Sequence, residues 1–322
     1  MKLPEAILWN DRVRLVFSDV DETVADLYRP AELGMLDAIT RLLDRGIRLV
    51  LITGQSVDSV EQRIVMRLPT SVRKQISVGA CSGAELWGYS TAGDRNAIPS
   101  DSAIGLLNEE QMSAWREVVQ KLVAEFELAT YPVMPIPEFR LQYGNDPQNV
   151  LLDDRGPQIT LEFPNAYRLS AAEREKISRR LGINIEDTDL RIAFSRRAEQ
   201  ALRARSLPVT PRMAGIFAVD LVIEGVSKTR AVQAALRSDV LGLGPSVPSA
   251  SEIEIWGDRF SQQAGTDWLM CTALHPSVRA ISFRDEDPAE FPLGYNIQKW
   301  SGEHRLHAGL LEFLELQRRS TN

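Results

Sequence analysis

The sequence predicts an α/β protein, a Rossmann-like core of parallel strands with helices on both faces, interrupted by an inserted α+β domain. Three observations carry that reading. Short apolar runs at 13–17, 47–52 and 76–78 alternate with helical patterns, the order that builds a parallel sheet covered by helices. The same alternation returns after Gly225. Between the two halves lies a stretch of different character, and 322 residues exceed the roughly 250–300 at which a single core usually stops growing.

Taken in order, VRLVF at 13–17 is a buried strand that runs into the polar segment 18–23. Pro30 stands near the start of a helix whose Leu36, Ile39 and Leu43 share a face, and Gly46 is placed to end it. The second strand, 47–52, stops at Thr53-Gly54. A helix over 57–65 with Val60 and Ile64 on one side leads to a short strand at 76–78 and the small residues of 79–83. After Trp87 the pattern changes. Segments 134–137 and 145–149 read as loops, while Gln158–Phe163 and Ile216–Ile223 read as strands around a polar helix at Ala171–Leu181. From Gly225 onward come a helix at 228–236, strands at 252–256 and 278–283, and a closing helix carrying Leu306, Leu310, Phe313 and Leu314. The expected division is core at 1–86, insertion at 87–224 and core again at 225–322. The insertion has the size of an independent domain.

Composition removes several classes of function. A formal net charge of −7 argues against bulk electrostatic binding to nucleic acid or an anionic membrane. Cys81 and Cys271 stand far apart without metal-ligand spacing, so neither a disulfide framework nor a zinc site is expected. No apolar run approaches the ~18–20 residues of a membrane span, and the N-terminus does not read as a signal peptide. A soluble cytoplasmic protein is the expectation.

The chemistry concentrates in LVFSDVDET, where a buried strand delivers Asp19, Asp21 and Thr23 to its C-terminal end, the end at which open α/β sheets place ligands. Alternate residues of an extended segment point the same way, so the two carboxylates start close together. Such a pair suits a nucleophile and a general acid, provided a cation or differing surroundings separate their roles. A lone acidic triplet is also an ordinary strand-ending turn. Three further signals stand beside it. Thr53-Gly54 offers a hydroxyl and a flexible backbone to a phosphoryl oxygen. In Gly225-Val-Ser-Lys228, Ser227 takes the cap position and places Lys228 at a helix N-terminus, where anions are favoured. IEIWGDRFSQQAGTD sets Asp258 directly after a strand and Asp267 at the start of a helix, two more carboxylates for a hard cation. Each of the three, taken alone, is common turn or surface chemistry.

In this order, each at a strand end or helix start, the four signals resemble the four motifs of the haloacid dehalogenase superfamily. The likeness covers about 13–83 and 225–282, and the long insertion resembles that superfamily's C2-type cap, in its C2B form. The resemblance implies a magnesium-dependent enzyme similar to sugar-phosphate phosphatases and phosphomannomutases. It implies that Asp19 attacks phosphorus and that Asp21 protonates the leaving alcohol and then activates water. Thr53, Gly54 and Lys228 would hold phosphoryl oxygens. Mg2+ would sit on Asp19, the Asp21 backbone carbonyl and Asp258, with Asp267 bound directly or through water and Thr23 buttressing the first loop. An acid at Asp21 speaks against dehalogenation within this resemblance.

Two departures stand out. Glu22 occupies a position commonly Gly in the family. The nine positions from Asp258 to Asp267 make a longer fourth motif than many phosphatases have, closer to that of phosphomannomutases. Three functions follow for comparison: hydrolysis of a small phosphorylated metabolite, foremost a sugar phosphate; a phosphosugar mutase; and a catalytically silent binding module. Arg196, Arg197, Arg203, Arg205 and Arg212 make the end of the insertion basic, either as a second anion site or as a solvated helix face. His275, His304 and His307 lie outside every motif. Trp87, Tyr89 and Trp256 read as stacking platforms for a sugar or as core.

Overall fold

The computed structural model describes residues 7–237, 241, 248–263 and 265–320. The chain divides into two compact units, one formed by Met1–Ser102 with Ser227–Asn322 and the other by Ala103–Val226.

In the first unit the strands are, in chain order, β1 (Leu15–Asp19), β2 (Arg48–Ile52), β3 (Ile76–Ala80), β4 (Glu85–Gly88) and β5 (Asp101–Ser102). The second unit holds β6 (Ala129–Tyr131), β7 (Asn149–Asp154), β8 (Gln158–Glu162), β9 (Val209–Ala214) and β10 (Ala218–Ile223). The first unit is completed by β11 (Ile253–Gly257), β12 (Arg279–Ser282) and β13 (Asn296–Lys299). Its sheet has the order β13-β12-β11-β1-β2-β3-β4-β5, parallel from β13 to β3 and antiparallel across β3, β4 and β5.

Every residue of β1, β3 and β11 is buried, as a strand covered on both faces requires. The alternation of side chains assigns the faces. Leu15, Phe17, Ile253 and Ile255 pack with Ala231, Val232 and Ala235 of the helix Lys228–Arg237. On the opposite face Trp256 meets Phe313 of the closing helix Leu306–Ser320, with Phe283 and Trp300 around the same ring. Helix Leu33–Asp44 buries Leu36, Ile39 and Leu43, the residues its periodicity selects, and is followed by Gly46 at φ +83°, a left-handed stop.

The chain runs from β1 outward through β2 to β3, then returns beside β1 to run the other way through β11, β12 and β13. The switch point therefore lies between β1 and β11, where an open α/β sheet leaves a crevice at its C-terminal edge. Asp19 ends β1 and Asp258 directly follows β11.

Residues 87–102, placed in the insertion from the sequence, belong to the first unit. Trp87 sits in β4 opposite Val78 of β3, and β5 pairs with β4, so backbone hydrogen bonding continues the core sheet past the position where the apolar alternation fades. The second unit carries the sheet β6-β7-β8-β10-β9, antiparallel except for β6 with β7. Its helices Glu109–Glu125 and Ala171–Leu181 each open on a capping box, Asn108 with Gln111 and Ser170 with Glu173. Segment 134–137, read from sequence as loop, instead starts the helix Ile136–Tyr143, because Pro137 in the first turn has no N–H to leave unsatisfied. Among the described residues no helix is long and apolar enough to cross a membrane.

Candidate active site

β1 runs through Asp19, two residues beyond the apolar run, and the chain then turns sharply. The N–H groups of Thr23, Val24 and Ala25 all donate to Val20 O, and Glu22 adopts φ +66°. A left-handed conformation is disfavoured for a residue with a Cβ, so glycine would sit here with less strain. Thr23, fully buried, donates from Oγ1 to Asp19 Oδ2 at 3.2 Å and so ties the turn back to the strand end.

Lys228 opens its helix with Ser227 Oγ accepting from Arg230 N–H as the cap. The buried Nζ donates to Asp19 Oδ1 at 2.5 Å and to Asp267 Oδ1 at 2.7 Å. Asp267 directly precedes the short helix Trp268–Cys271 without a side-chain bond to its N–H groups, and its Oδ2 instead accepts the backbone N–H groups of Asp258 and Arg259, both at 2.9 Å. The longer fourth motif is thus closed by its own last residue.

Thr53 follows β2, its N–H bonded to Gly79 O and its carbonyl to Ser82 N–H, with Gly54 next in the same bend. Its hydroxyl donates to Asp21 Oδ2 at 3.1 Å and accepts from Gln55 N–H at 3.0 Å. These bonds join Asp19, Thr23, Lys228, Asp267 and the Asp258 backbone in one network, with Asp21 and Thr53 as a bonded pair and the Asp21 charge felt at Asp19.

Three residues beyond the predicted set complete it. Arg63 is buried, with Nε on Arg29 O and Nη2 on Asp26 O, and its Nη1 lies 2.8 Å from Asp21 Oδ1. That pair is a charge contact, outside hydrogen-bond alignment. Arg284 donates Nε and Nη2 to Asp258 Oδ2 at 2.8 and 2.5 Å and stands 4.0 Å from Glu22. Glu286 gathers the N–H groups of Phe260 and Ser261 and the hydroxyl of Ser282, fixing the loop after β11. Arg284 had a sequence signal, since it directly follows the predicted strand 278–283; Arg63 had none, lying in the last turn of its helix.

Charge in this crevice is out of balance. Burial raises the Asp19 carboxyl well above the ordinary carboxylate range; Lys228 opposes the rise, and Asp267, Asp258 and Asp21 add to it. Burial, with Asp267 beside it, pushes Asp258 up to about 7 against the pull of Arg284. Burial also works against the Lys228 ammonium, but Asp19 and Asp267 outweigh it and raise its pKa. One oxygen from each of Asp19, Asp258 and Asp267 lies within 4.8 Å of the others. All three residues are buried, all donors are hard oxygens, and two acids are held above their ordinary pKa, so the set fits a small hard divalent cation such as Mg2+.

The remaining candidates do not join the network. In the second unit Arg196, Arg197, Arg203 and Arg205 form ion pairs with Asp187, Glu125, Glu199 and Glu117, and Arg212 donates to Val226 O. His275 contacts Ser277, His304 lies by Glu312 and His307 by Glu32. Trp256 and Tyr89 are buried, the latter on Glu61, and Trp87 lies under Arg95. Cys81 and Cys271 are both buried.

By sequence the chain matches no family model and no curated protein. Solved structures do share its fold. The C-terminal domain of a C. albicans trehalose-6-phosphate phosphatase aligns with a TM-score of 0.56 at 13% identity, over 97% of this chain and 94% of that one. A haloacid dehalogenase-like hydrolase from Bacteroides thetaiotaomicron aligns with a TM-score of 0.52 at 12% identity, over 94% and 98%. The fold is that of the haloacid dehalogenase superfamily. A trehalose-6-phosphate phosphatase related protein shares this haloacid dehalogenase fold at a TM-score of 0.50 and 14% identity, over 95% of this chain and 98% of that one.

Proposed function

We propose that this protein is a magnesium-dependent phosphomonoester hydrolase acting on a small phosphorylated metabolite, foremost a sugar phosphate, through an aspartyl-phosphate on Asp19. The observation that carries the reading is Lys228 joined to both Asp19 and Asp267 at the switch point of the sheet, with Asp258 beside them. Phosphoryl transfer asks mainly for an in-line nucleophile and neutralised charge, and that group supplies both.

In this mechanism a carboxylate oxygen of Asp19 attacks phosphorus while the bond to the leaving alcohol breaks. Asp21, braced by Thr53 and Arg63, gives its proton to that alcohol. It then takes a proton from the water that attacks the aspartyl-phosphate, which releases orthophosphate and restores Asp19. Thr53, Gly54 and Lys228 receive the phosphoryl oxygens. Asp19, Asp258 and the Asp21 backbone carbonyl would hold Mg2+, whose charge would offset that of the phosphoryl group. Asp267 would support the ion directly or through water, and it also holds the motif loop and Lys228, which its oxygens touch. Residues 103–226 serve as the C2-type cap and carry recognition of the rest of the substrate.

Phosphate release from a panel of sugar and polyol phosphates, with and without magnesium, tests the reading. Transfer between positions of a sugar without free phosphate would instead mark a mutase. Absence of turnover on every member in magnesium, by a protein that binds the ion, would leave only a binding module.

A further inference from the structure

Two of the three clustered carboxylates have both oxygens bonded within the site, since Lys228 Nζ donates to Oδ1 of Asp19 and to Oδ1 of Asp267. Asp267 Oδ2 takes two backbone N–H groups, and Asp19 Oδ2 takes the Thr23 hydroxyl. Asp258 Oδ2 takes two nitrogens of Arg284. The charged donors here are Lys228 and Arg284; Arg284 is the one that donates to Asp258, and it is not part of either acid-bearing loop. It lies just past β12, and the approach to Glu22 sets its guanidinium between two acids.

The consequence concerns which cation fits. Calcium takes six to eight oxygens and accepts carboxylates through both oxygens, whereas magnesium demands a compact octahedron and takes one oxygen from each of a few carboxylates. A carboxylate with one oxygen locked by a guanidinium can offer only the other. We propose that Arg284 is the residue that sets cation specificity: by holding Asp258 Oδ2 it restricts Asp258 to a single ligand atom, which suits magnesium and denies calcium its second oxygen. The inference rests on the reading that Asp19 and Asp258 hold the divalent cation.

The test is calorimetric titration of the full-length protein with magnesium chloride or calcium chloride alone, with no substrate and no turnover. Arg284→Met removes the donors and keeps the stem; Arg284→Lys keeps the charge but presents one nitrogen in place of the fork. Orienting partners of metal ligands typically tune affinity by about 10–100-fold. The ratio of calcium to magnesium dissociation constants is therefore expected to fall by about tenfold or more in Arg284→Met, and in the same direction in Arg284→Lys. A folded Arg284→Met in which both ions tighten together and the ratio stays put would show Arg284 to be a plain counter-charge and overturn the proposal. Should Arg284→Met fail to fold, an unchanged ratio in Arg284→Lys overturns it equally. Wild-type protein that binds neither ion removes the metal site itself, an outcome visible before any variant is made.

Discussion

Gly257 faces the carboxylate of Asp267 so closely that a Cβ added to the glycine would stand 2.4 Å from Oδ2. The last residue of β11 is therefore small because the far end of the motif loop folds back onto it. That contact lets Asp267 reach the N–H groups of Asp258 and Arg259 with one oxygen and Lys228 with the other.

Gly257→Ala should force Asp267 off this position. Overpacking of a fixed site costs about 1–3 kcal/mol, and because the displaced group holds Lys228, turnover should fall more than stability does. Urea unfolding alongside phosphate release checks both. Unchanged activity in a folded Gly257→Ala protein would mean that Asp267 does not position Lys228.

Asp19→Asn should abolish turnover, since it removes the nucleophile and nearly keeps the shape. Burial disfavours the ionised Asp19 carboxylate even with Lys228 beside it, so the neutral amide relieves a cost rather than creating one. The melting temperature in chelator should accordingly match or exceed that of the wild type. Phosphate release near the wild-type rate by the folded variant would end the aspartyl-phosphate mechanism.

The sequence disclosed the strand ends and with them most of the site. Asp19 and Asp258 are legible because they stand at or just past the ends of apolar runs, where the C-terminal edge of a parallel sheet gathers chemistry, and Lys228 because Ser227 marks a helix start. Glu22 was legible as an exception, and its left-handed backbone gives the cause. What the sequence hides is partnership across long separations. Nothing in VEQRIV marks Arg63 as the neighbour of Asp21, because its role depends on the carbonyls of Asp26 and Arg29 folding over it. The start of the insertion was hidden for a similar reason. β4 and β5 are short edge strands held by backbone pairing, and backbone pairing leaves little trace in side-chain pattern.

Magnesium should stabilise the folded protein, because a ligand that binds only the native state adds about 2.7 kcal/mol at one hundred times its dissociation constant. Excess chelator should remove both that gain and all turnover. Asp258→Ala should lose most of the magnesium-dependent rise in melting temperature, as it deletes a ligand and leaves the Arg284 cation facing the site with only Glu22 paired to it among the described residues. A rise as large in Asp258→Ala as in the wild type would place the cation elsewhere.

Replacing residues 103–226 with a flexible linker should separate chemistry from recognition. The cut ends belong to one unit: Asp101, beside Ser102 in β5, pairs with Arg230 at 2.5 Å, and Arg230 lies three residues after Ser227. A linker of about six flexible residues, with a mean span of about 13 Å, is enough to join them without strain. The shortened protein keeps Asp19, Asp21, Thr53, Lys228, Asp258 and Asp267, together with Arg63 and Arg284. It should therefore still cleave an activated aryl phosphate, whose good leaving group needs little help. Binding energy from the remote part of a natural substrate is what a recognition domain contributes to the reacting centre, so the ranking among sugar phosphates should flatten. If the shortened protein folds and ranks those substrates as the full chain does, recognition resides in the residues around Asp19, and the role assigned to 103–226 fails.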